Sequence, residues 1–339
     1  MRITALIPEA IVNSIYRSIL PMQALAQRGH TVHLEERNEI RDARALLECD
    51  LVHFLRFSQQ EMQRMARALS DAGVAVVWDN DDNLTASQKG NPNYAYHSGL
   101  SGQRVLAGMT TMMRQADVVT TPSAMLAERY RELSGADVRV LENYLPPAFT
   151  RPARVMPHNG VTIGWLAALE HQRDVEQLGL QETLGRLLAR HQQLELITIG
   201  LNLGLASRRY RHVPITNYGE LPELLMHFDI GIAPIAAVDF NRGRSNVKLK
   251  EYAAMGVPWL ASPVGGYAGM GEEQGGRLVP DDRWYEELEQ LLLDADDRSR
   301  LARRARRWAQ EQTIERHAER WEQTFEDAIE RAQAGSAVR

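Results

Sequence analysis

The stretch from Phe228 to Tyr267, FDIGIAPIAAVDFNRGRSNVKLKEYAAMGVPWLASPVGGY, decides the fold of this chain. FDIGIAPI is a short apolar run of the kind that forms a buried parallel strand. After a polar loop, the sequence predicts a helix with Ser245 as its N-cap, ending at Gly256 with Pro258 just beyond. VPWLAS is the next strand. The pattern therefore predicts a strand–helix–strand unit typical of parallel sheets.

Basic residues cluster where this helix begins. Arg242 and Arg244 precede it and Lys248 lies in its first turn. Positive charge is unfavourable there by about 0.3–1 kcal/mol per residue, whereas the free N–H groups at a helix start bind phosphate. One hypothesis places a diphosphate at this point, with Glu251 on the same face reaching a sugar hydroxyl. The other is a basic surface loop with Lys248 and Glu251 as a helical ion pair. The helix alone does not decide between them.

Composition limits the class of protein. A length of 339 residues suggests two domains, and 44% hydrophobic with 24% charged residues is ordinary for a globular protein. The formal net charge of −5 argues against a nucleic-acid partner. The single cysteine, Cys49, excludes an intramolecular disulfide and fits a reducing compartment. With no signal-peptide pattern and no apolar run near the roughly 20 residues of a bilayer span, we expect a cytoplasmic protein.

Strand and helix patterns alternate along the chain in two halves. ITALI, HTVHLEE, DLVHFLRF, VAVVW, ADVVTTPS and VRVLEN are predicted strands of the first half, with helical patterns between most of them. The proline-rich stretch YLPPAFTRPARVMPHNG then interrupts the pattern, as an interdomain linker would. VTIGWLA opens a second alternation. Each half therefore predicts a doubly wound parallel sheet.

The motifs of the second half resemble those of the GT-B glycosyltransferases, in particular the retaining family 4 type (glycosyl transferases group 1). FDIGIAPI, NVKLKEYAAMGVPWLAS and GGY carry the resemblance. IGWLA followed by EHQRD is similar to the family's first phosphate-contacting loop, and VVWDNDDNL and RVLENYLP resemble strands of the first domain of a subgroup. The resemblance implies two Rossmann-like doubly wound domains facing a cleft: an acceptor domain at 1–150, completed by a C-terminal helix at about 313–334, and a nucleotide-sugar domain at 151–312.

The same resemblance implies a nucleotide-sugar donor held mainly by the second domain, without a metal or other cofactor. The residues expected to bind it are His171, Arg173, Asn241, Arg242, Ser245, Asn246, Lys248 and Glu251. Glu251 matches the ribose-contacting second glutamate of the family's E-x7-E motif. The first glutamate, which contacts the transferred sugar, would fall at Gly243 and is missing. Asn241, Arg242 and Ser245 are candidates to replace it. From the residues alone, His171 and Arg173 also fit a polar loop that caps the next helix.

Asp79, Asp81 and Asp82 follow the fourth strand, at an edge where doubly wound sheets bind ligands. Three interpretations remain open. One carboxylate positions or deprotonates an acceptor hydroxyl; Asp79 and Asp81 form a D-x-D metal site that bridges a diphosphate; or the loop is turn chemistry. We favour the first, because mutual repulsion of three carboxylates needs a reason, and name all three as catalytic candidates.

Other features are less specific. Tyr16 and Arg17 lie early in the predicted first helix, where they either contact the donor phosphates or the acceptor across the cleft or have only a surface role. His97 lies in a loop expected to face the cleft. RSRLARRARRW is either a solvated helix face or a surface for anionic lipid head groups. The first strand lacks G-x-G-x-x-G, which argues against an NAD oxidoreductase. Neither a P-loop motif nor zinc-ligand spacing occurs in the sequence.

The sequence therefore predicts a hexosyltransferase-like enzyme that moves a sugar from a nucleoside diphosphate to a hydroxyl acceptor, with retention, in glycan, polysaccharide or glycoconjugate biosynthesis. The acceptor would be a saccharide or lipid-linked, and the protein cytoplasmic, with peripheral contact at the inner face of the membrane as an option. Two alternatives stay open. One is a non-catalytic nucleotide-sugar binding subunit of a glycan assembly complex; the other is a different enzyme on the same fold, a nucleotide-sugar epimerase or a metal-using transferase.

Overall fold

Two parallel six-stranded sheets carry the chain in this computed structural model, which describes residues 1–9, 12–36, 44–89, 91–150, 160–214 and 217–338. The strands of the first sheet are β1 (Arg2–Ile7), β2 (Thr31–Glu36), β3 (Leu51–Leu55), β4 (Ala75–Asp79), β5 (Val118–Thr121) and β6 (Val138–Val140). They lie in the order β2-β1-β3-β4-β5-β6. The strand order reverses between β1 and β3, so the crevice outside their carboxyl ends is a natural ligand site.

The second sheet has the strand order of dinucleotide-binding domains. Its strands are β7 (Val161–Ala167), β8 (Leu194–Gly200), β9 (Tyr210–Val213), β10 (Ile230–Ala233), β11 (Trp259–Ala261) and β12 (Gly276–Leu278). They lie in the order β12-β11-β10-β7-β8-β9, which is the 3-2-1-4-5-6 arrangement within the domain. Here the order reverses between β7 and β10. The predicted fold class, two Rossmann-like doubly wound domains, is confirmed.

Helices cover both faces of each sheet. The longer ones are α1 (Leu20–Gln27), α2 (Gln60–Asp71), α3 (Gly99–Gln115), α4 (Ala124–Ser134), α5 (Leu180–Arg190), α6 (Val247–Ala254), α7 (Trp284–Leu293), α8 (Ala295–Gln310) and α9 (Ile314–Val338). The last helix, α9, packs on the first sheet beside α1, where Trp321 and Phe325 are fully buried. The proposed domain boundary at 150/151 adjoins residues 151–159, outside the described residues, and it stays a prediction.

A buried ion pair fixes the end of β4. Both side chains of Arg17 and Asp79 are inaccessible to solvent, with Arg17 Nη2 2.6 Å from Asp79 Oδ2 and Nε 3.0 Å from Oδ1. Thr120 Oγ1 donates to the same carboxylate at 2.5 Å, and the guanidinium lies 5.1 Å from the ring centre of Trp321 on α9. Because a buried charge needs partners on every side, this pair belongs to the core of the first domain, and Arg17 does not face the cleft.

The local predictions missed short elements. The edge strands β9 and β12 and the short helix Asp239–Arg242 fall in stretches expected to be loops. The helix expected after β7 is divided into Gln172–Gln177 and α5 at Gly179, which has a φ of 59°. Ser245 does not cap α6: the helix begins at Val247 after Asn246, and Ser245 Oγ accepts a hydrogen bond from Asn143 Nδ2 at 3.2 Å.

Candidate functional site

A cavity of about 390 Å³ lies between the two domains, outside the carboxyl ends of β7 and β10. This is the point of the second sheet where doubly wound folds bind ligands. The side chains of the first domain that line it are Asn13, Tyr16, Asp81, Asp82 and Asn143. The polar residues of the second domain that line it are Glu170, His171, Asn217, Tyr218, Arg244, Ser245, Lys248, Glu251 and Tyr267.

The structure divides the predicted site residues into two groups. Those that line the cavity are Asp81, Asp82, His171, Ser245, Lys248 and Glu251. Those that are not among its lining residues are Asp79, Arg173, Asn241, Arg242 and Asn246. Asp79 is held in the core by its ion pair, so we assign it to the fold and not to catalysis. The other four lie around the cavity in different ways.

These four residues lie behind or beside the site. Arg242 is mostly exposed, 3.8 Å from Asp239. Arg173 donates to Gln88 Oε1 of the first domain at 3.1 Å. Asn241 is buried behind the cavity wall, and Asn246 is buried at the start of α6. None of the four side chains is placed to meet a ligand in the cavity directly.

Two cations and a histidine converge where α6 begins. Lys248 Nζ lies 3.0 Å and Arg244 Nη1 3.4 Å from His171 Nε2. Burial and the neighbouring Arg244 lower the pKa of Lys248 to about 8. Arg244 was part of the basic cluster seen in the sequence, but the predicted site set kept Arg242 instead. Two cations held together in a partly desolvated cleft are suited to an anion such as a diphosphate.

His171 is neutral and its tautomer is fixed. Burial and the nearby cations Lys248 and Arg244 lower its pKa to about 4. Its Nδ1 lies 2.7 Å from Asp174 Oδ2, an acceptor, so the ring proton is on Nδ1. The Nε2 lone pair then accepts from the Lys248 ammonium. The imidazole therefore orients the lysine and adds no charge of its own.

Carboxylates border the cation cluster on both sides. Glu170 Oε1 lies 3.4 Å from Arg244 Nη2. Burial opposes ionisation of Glu170, but the charge of Arg244, together with His171 once it is protonated below about pH 4, outweighs it and holds the pKa of Glu170 at about 2. On the first domain, Arg56 Nε donates to Asp81 Oδ1 at 2.7 Å and its Nη2 to Asp82. The repulsion expected within the acidic loop is thus relieved by an arginine that the sequence reasoning did not include.

Arg56 has a left-handed backbone conformation, with a φ of 60° at the end of β3. Non-glycine residues rarely adopt this conformation, and here it turns the guanidinium toward the acidic loop. Asn13 Nδ2 donates to the other oxygen of Asp81 at 2.6 Å. The described residues include no group of three or more histidine, cysteine, aspartate or glutamate side chains placed to hold a metal ion.

Glu251 bridges the two domains. Its Oε1 accepts a hydrogen bond of 2.5 Å from the hydroxyl of Tyr16, which in turn accepts from the hydroxyl of Tyr218. Burial raises the pKa of Glu251 to about 7, and the bond from Tyr16 and the charge of Lys248 limit the rise. The carboxylate at the floor of the cleft is therefore poised to titrate near neutral pH.

Gly243, where the resemblance places a glutamate, packs directly on the first domain. A Cβ atom at this position would lie 3.1 Å from Leu126 Cδ2 and 3.2 Å from Asn83 Cβ. Ser123 Oγ donates to the Gly243 carbonyl at 3.0 Å. Of the three candidate replacements for the glutamate, Ser245 alone lines the cavity.

A second pocket, of about 160 Å³, adjoins the cavity at Asp82, which lines both. His97 lies in its wall, as do Arg56 and the ring of Phe240. Within the part of the chain that the structure describes, His97 Nδ1 and Ser87 Oγ are buried without a hydrogen-bond partner. Burial and the charge of Arg56 lower the pKa of His97. These orphan atoms can hydrogen-bond a polar ligand.

The arginine-rich stretch, interpreted as either a solvated helix face or a lipid-binding surface, lies on α8, and several of its arginines are paired within the protein. Arg300 and Arg304 pair with Glu272 at 2.7 and 2.9 Å, and Arg298 donates to the carbonyls of Leu291 and Leu292. These bonds reduce the charge available to a lipid surface. No helix among the described residues is long and apolar enough to cross a bilayer.

Comparison with known proteins agrees with this geometry. Residues 160–294 match the family described as glycosyl transferases group 1, and no curated protein matches the sequence. HepE of Anabaena, solved with UDP and glucose, superposes with a TM-score of 0.70 at 14% identity, over 96% of this chain and 99% of HepE. WaaG, a glycosyltransferase involved in lipopolysaccharide biosynthesis, superposes with a TM-score of 0.70 at 12% identity, over 95% of this chain and 99% of WaaG.

A third similar structure is the sucrose-phosphate synthase of Thermosynechococcus elongatus, with a TM-score of 0.65 at 16% identity, over 96% of this chain and 98% of the synthase. At such low identities the likeness shows the fold. The chain therefore has the GT-B fold, and residues 160–294 of its second domain match the glycosyl transferases group 1 model.

Proposed function

We propose that the chain is a glycosyltransferase that moves a sugar from a nucleoside diphosphate to a hydroxyl acceptor with retention of configuration. The observation that carries the proposal is the convergence of Arg244 and Lys248 on the neutral His171 at the switch point of the second sheet. Cations held in a cleft stabilise the charge that develops on a departing diphosphate. The UDP bound in the HepE structure supports a nucleoside diphosphate as the donor.

In the proposed reaction these cations stabilise the leaving diphosphate. The bond between the anomeric carbon and the diphosphate oxygen breaks, and its electron pair stays on the phosphate facing Arg244 and Lys248. The anomeric carbon becomes oxocarbenium-like, and the acceptor hydroxyl attacks from the same face. The hydroxyl proton passes to the leaving phosphate, so the mechanism needs no enzyme nucleophile and no metal.

The ribose of the donor would be recognised by Glu251, whose ionised carboxylate can accept hydrogen bonds from vicinal hydroxyls. In the structure this acceptor is occupied by the hydroxyl of Tyr16. Donor binding in this pose requires Tyr16 to share or release the carboxylate. Tyr16 thereby links donor binding to the contact between the two domains.

The acceptor would enter from the first domain, through the pocket that adjoins the donor cavity at Asp82. Its polar lining and the ring of Phe240 suit a saccharide, which combines hydroxyl groups with an apolar face. Asp81 and Asp82 are then the carboxylates nearest the acceptor hydroxyl, and Arg56 holds both in place. Glycan or glycoconjugate synthesis, a cytoplasmic location and peripheral membrane contact remain predictions.

Transfer and hydrolysis from a panel of nucleoside-diphosphate sugars, with and without saccharide acceptors, test the proposal. We expect at least one donor to turn over, and Lys248→Ala to lower kcat/KM at least about 100-fold, as loss of a group that stabilises the transition state does. Arg211→Ala, which removes an exposed arginine of β9 in the same domain, is the matched control and should have no effect.

The other outcomes identify the alternatives. Donor binding with no turnover would favour a non-catalytic binding subunit. A donor returned with an altered sugar would favour an epimerase, and activity lost in EDTA would favour a metal-using transferase. Unchanged donor affinity in Lys248→Ala would contradict the diphosphate site itself.

A further inference from the structure

Asp174 connects the two loops that meet at the switch point of the second sheet. It lies in the short helix after β7, and its side chain is almost completely buried. One carboxylate oxygen, Oδ1, accepts from the backbone N–H of Ala236 at 2.9 Å and from Asn241 Nδ2 at 2.8 Å, both in the loop after β10. The other, Oδ2, accepts from His171 Nδ1 at 2.7 Å.

Each side-chain partner of Asp174 holds one cation of the proposed diphosphate site. His171 receives Lys248 Nζ on its Nε2 at 3.0 Å. Asn241 receives Arg244 Nε on its Oδ1 at 3.1 Å. His171 and Asn241 are both neutral side chains. Each donates an N–H to Asp174 and accepts a hydrogen bond from a cation. The carboxylate therefore determines which way each of them points.

We infer that Asp174 is a positioning residue that orients Lys248 through His171 and Arg244 through Asn241, so that both cations face the same diphosphate. The inference rests on the proposed function for the identity of the anion. Asp174 itself does not line the cavity and touches no substrate. Its buried negative charge also stabilises two cations that would otherwise repel each other.

Replacement of Asp174 by asparagine should displace Lys248, which is held through His171, more than Arg244, which is held through Asn241. The amide oxygen can still accept from Ala236 and Asn241, so Arg244 keeps its 3.1 Å bond to Asn241 and loses only its longer, 3.4 Å contact with His171 Nε2. The amide nitrogen faces His171 Nδ1, which must then act as an acceptor, and the ring proton moves to Nε2. An Nε2–H group would face the ammonium of Lys248, donor against donor, and displace the lysine from its place.

A double-mutant cycle measures this coupling. The affinity for UDP, and separately for inorganic pyrophosphate, is measured by calorimetry for the wild type, Asp174→Asn, Lys248→Met and the double variant. We expect each single variant to bind about 10–100-fold more weakly, the size of one lost charge-assisted hydrogen bond. The double variant should bind no more weakly than Lys248→Met alone. In the comparison cycle, Asp174→Asn and Arg244→Met should come closer to multiplying their losses, because Arg244 keeps its bond to Asn241 and its contact with His171 is the longer one.

The tautomer of His171 gives a readout that needs no ligand. In protein labelled with ¹⁵N-histidine, the wild type should show the proton on Nδ1 and Asp174→Asn should show it on Nε2, with the signal assigned from His171→Gln. An unchanged tautomer, wild-type affinity of Asp174→Asn, or losses that multiply with Lys248→Met would each overturn the inference. Absence of UDP and pyrophosphate binding by the wild type would overturn the inference and the diphosphate site together.

The cycle and the transfer assay fail independently. If no donor turns over but the cycle and the tautomer behave as expected, the positioning role stands and the transferase proposal falls. If transfer occurs while Asp174→Asn binds UDP like the wild type, the transferase proposal stands and the positioning role of Asp174 falls.

Discussion

Replacement of Lys248 by methionine should make the empty protein more stable while it weakens binding of the donor. The pKa of this lysine falls from the usual 10.5 to about 8 in the fold, which corresponds to a cost of about 3 kcal/mol for holding the charged form. Solvent reaches part of the side chain, so we expect about 1–2 kcal/mol in practice. The substitution also removes the hydrogen bond that Lys248 donates to His171, although Arg244 Nη1 remains at 3.4 Å from that nitrogen. The net gain in the free energy of unfolding should therefore be about 1 kcal/mol.

The pH dependence of this gain has a definite sign. Because the folded pKa of Lys248 is depressed, the unfolded chain holds the proton to higher pH than the folded protein does. The cost is fully present below pH 8 and disappears as the pH rises from about 8 to 10.5. The advantage of Lys248→Met over the wild type should therefore be largest at pH 7 and shrink toward pH 10.

Urea denaturation of the two proteins at pH 7, 8.5 and 10, without and with UDP, measures both effects. UDP should raise the midpoint of the wild type and raise that of Lys248→Met much less. Lys250→Met is the matched contrast, two residues away on the same helix. Burial lowers the pKa of Lys250 too, but its Nζ is paired at 2.8 Å with Glu142 and at 2.9 Å with the carbonyl of Asn143. Its loss removes both bonds and should lower stability by about 1–2 kcal/mol. A wild type more stable than Lys248→Met at pH 7 without ligand would refute the reasoning.

Three further results are expected. Arg17→Met should lower the free energy of unfolding by about 3–5 kcal/mol, measured by urea denaturation, because it leaves Asp79 buried without its ion-pair partner; a loss below 1 kcal/mol would contradict the structural role. Gly243→Glu should crowd Leu126 Cδ2 and Asn83 Cβ and lower the free energy of unfolding by about 1–3 kcal/mol, whereas an unchanged stability would mean that these side chains yield. As the pH drops from 8 to 6, protonation of Glu251, with its pKa of about 7, should weaken UDP binding, while protonation of Lys248, with its pKa of about 8, should strengthen it; the affinity of Glu251→Gln should therefore rise relative to that of the wild type as the pH falls, and parallel profiles would exclude the carboxylate from binding.

The order of strands and helices could be predicted because each half repeats the same pattern of buried strand and amphipathic helix. The strands that were missed, β9 and β12, lie at the sheet edges and have four and three residues. An edge strand is buried on fewer sides and needs no continuous apolar run, so its sequence resembles a loop. The start of α6 was placed at Ser245 on capping preference, but Asn143 of the other domain binds that hydroxyl. A contact from a distant segment outweighed a local preference.

The site was predictable where chemistry and local position coincide. Lys248 was identifiable because a cation in the first turn of a helix is unfavourable without an anion. Arg242 and Arg244 could not be told apart from the sequence. They are two residues apart in a segment without a regular repeat, and only the folded structure shows that Arg244 lines the cavity and Arg242 does not. Arg56 gave no signal in the sequence, and Asp174, although it ends the EHQRD stretch, was not singled out, because the roles of both depend on partners from other parts of the chain. Asp79 shared the acidic loop with Asp81 but points into the core.

The loop around Gly243 links the unusual motif to the geometry of the cleft. A residue without a side chain lets the loop approach Asn83 and Leu126, and the Ser123 hydroxyl reaches its carbonyl because nothing stands between them. This contact and the bond between Tyr16 and Glu251 join the domains on either side of the cavity. A side chain at position 243 would require Leu126 and Asn83 to shift. Loss of that carboxylate and the close approach of the two domains are therefore one structural feature. The cavity wall carries Ser245, Glu170 and the acidic loop held by Arg56, so a donor sugar bound there would meet these groups and no carboxylate from position 243.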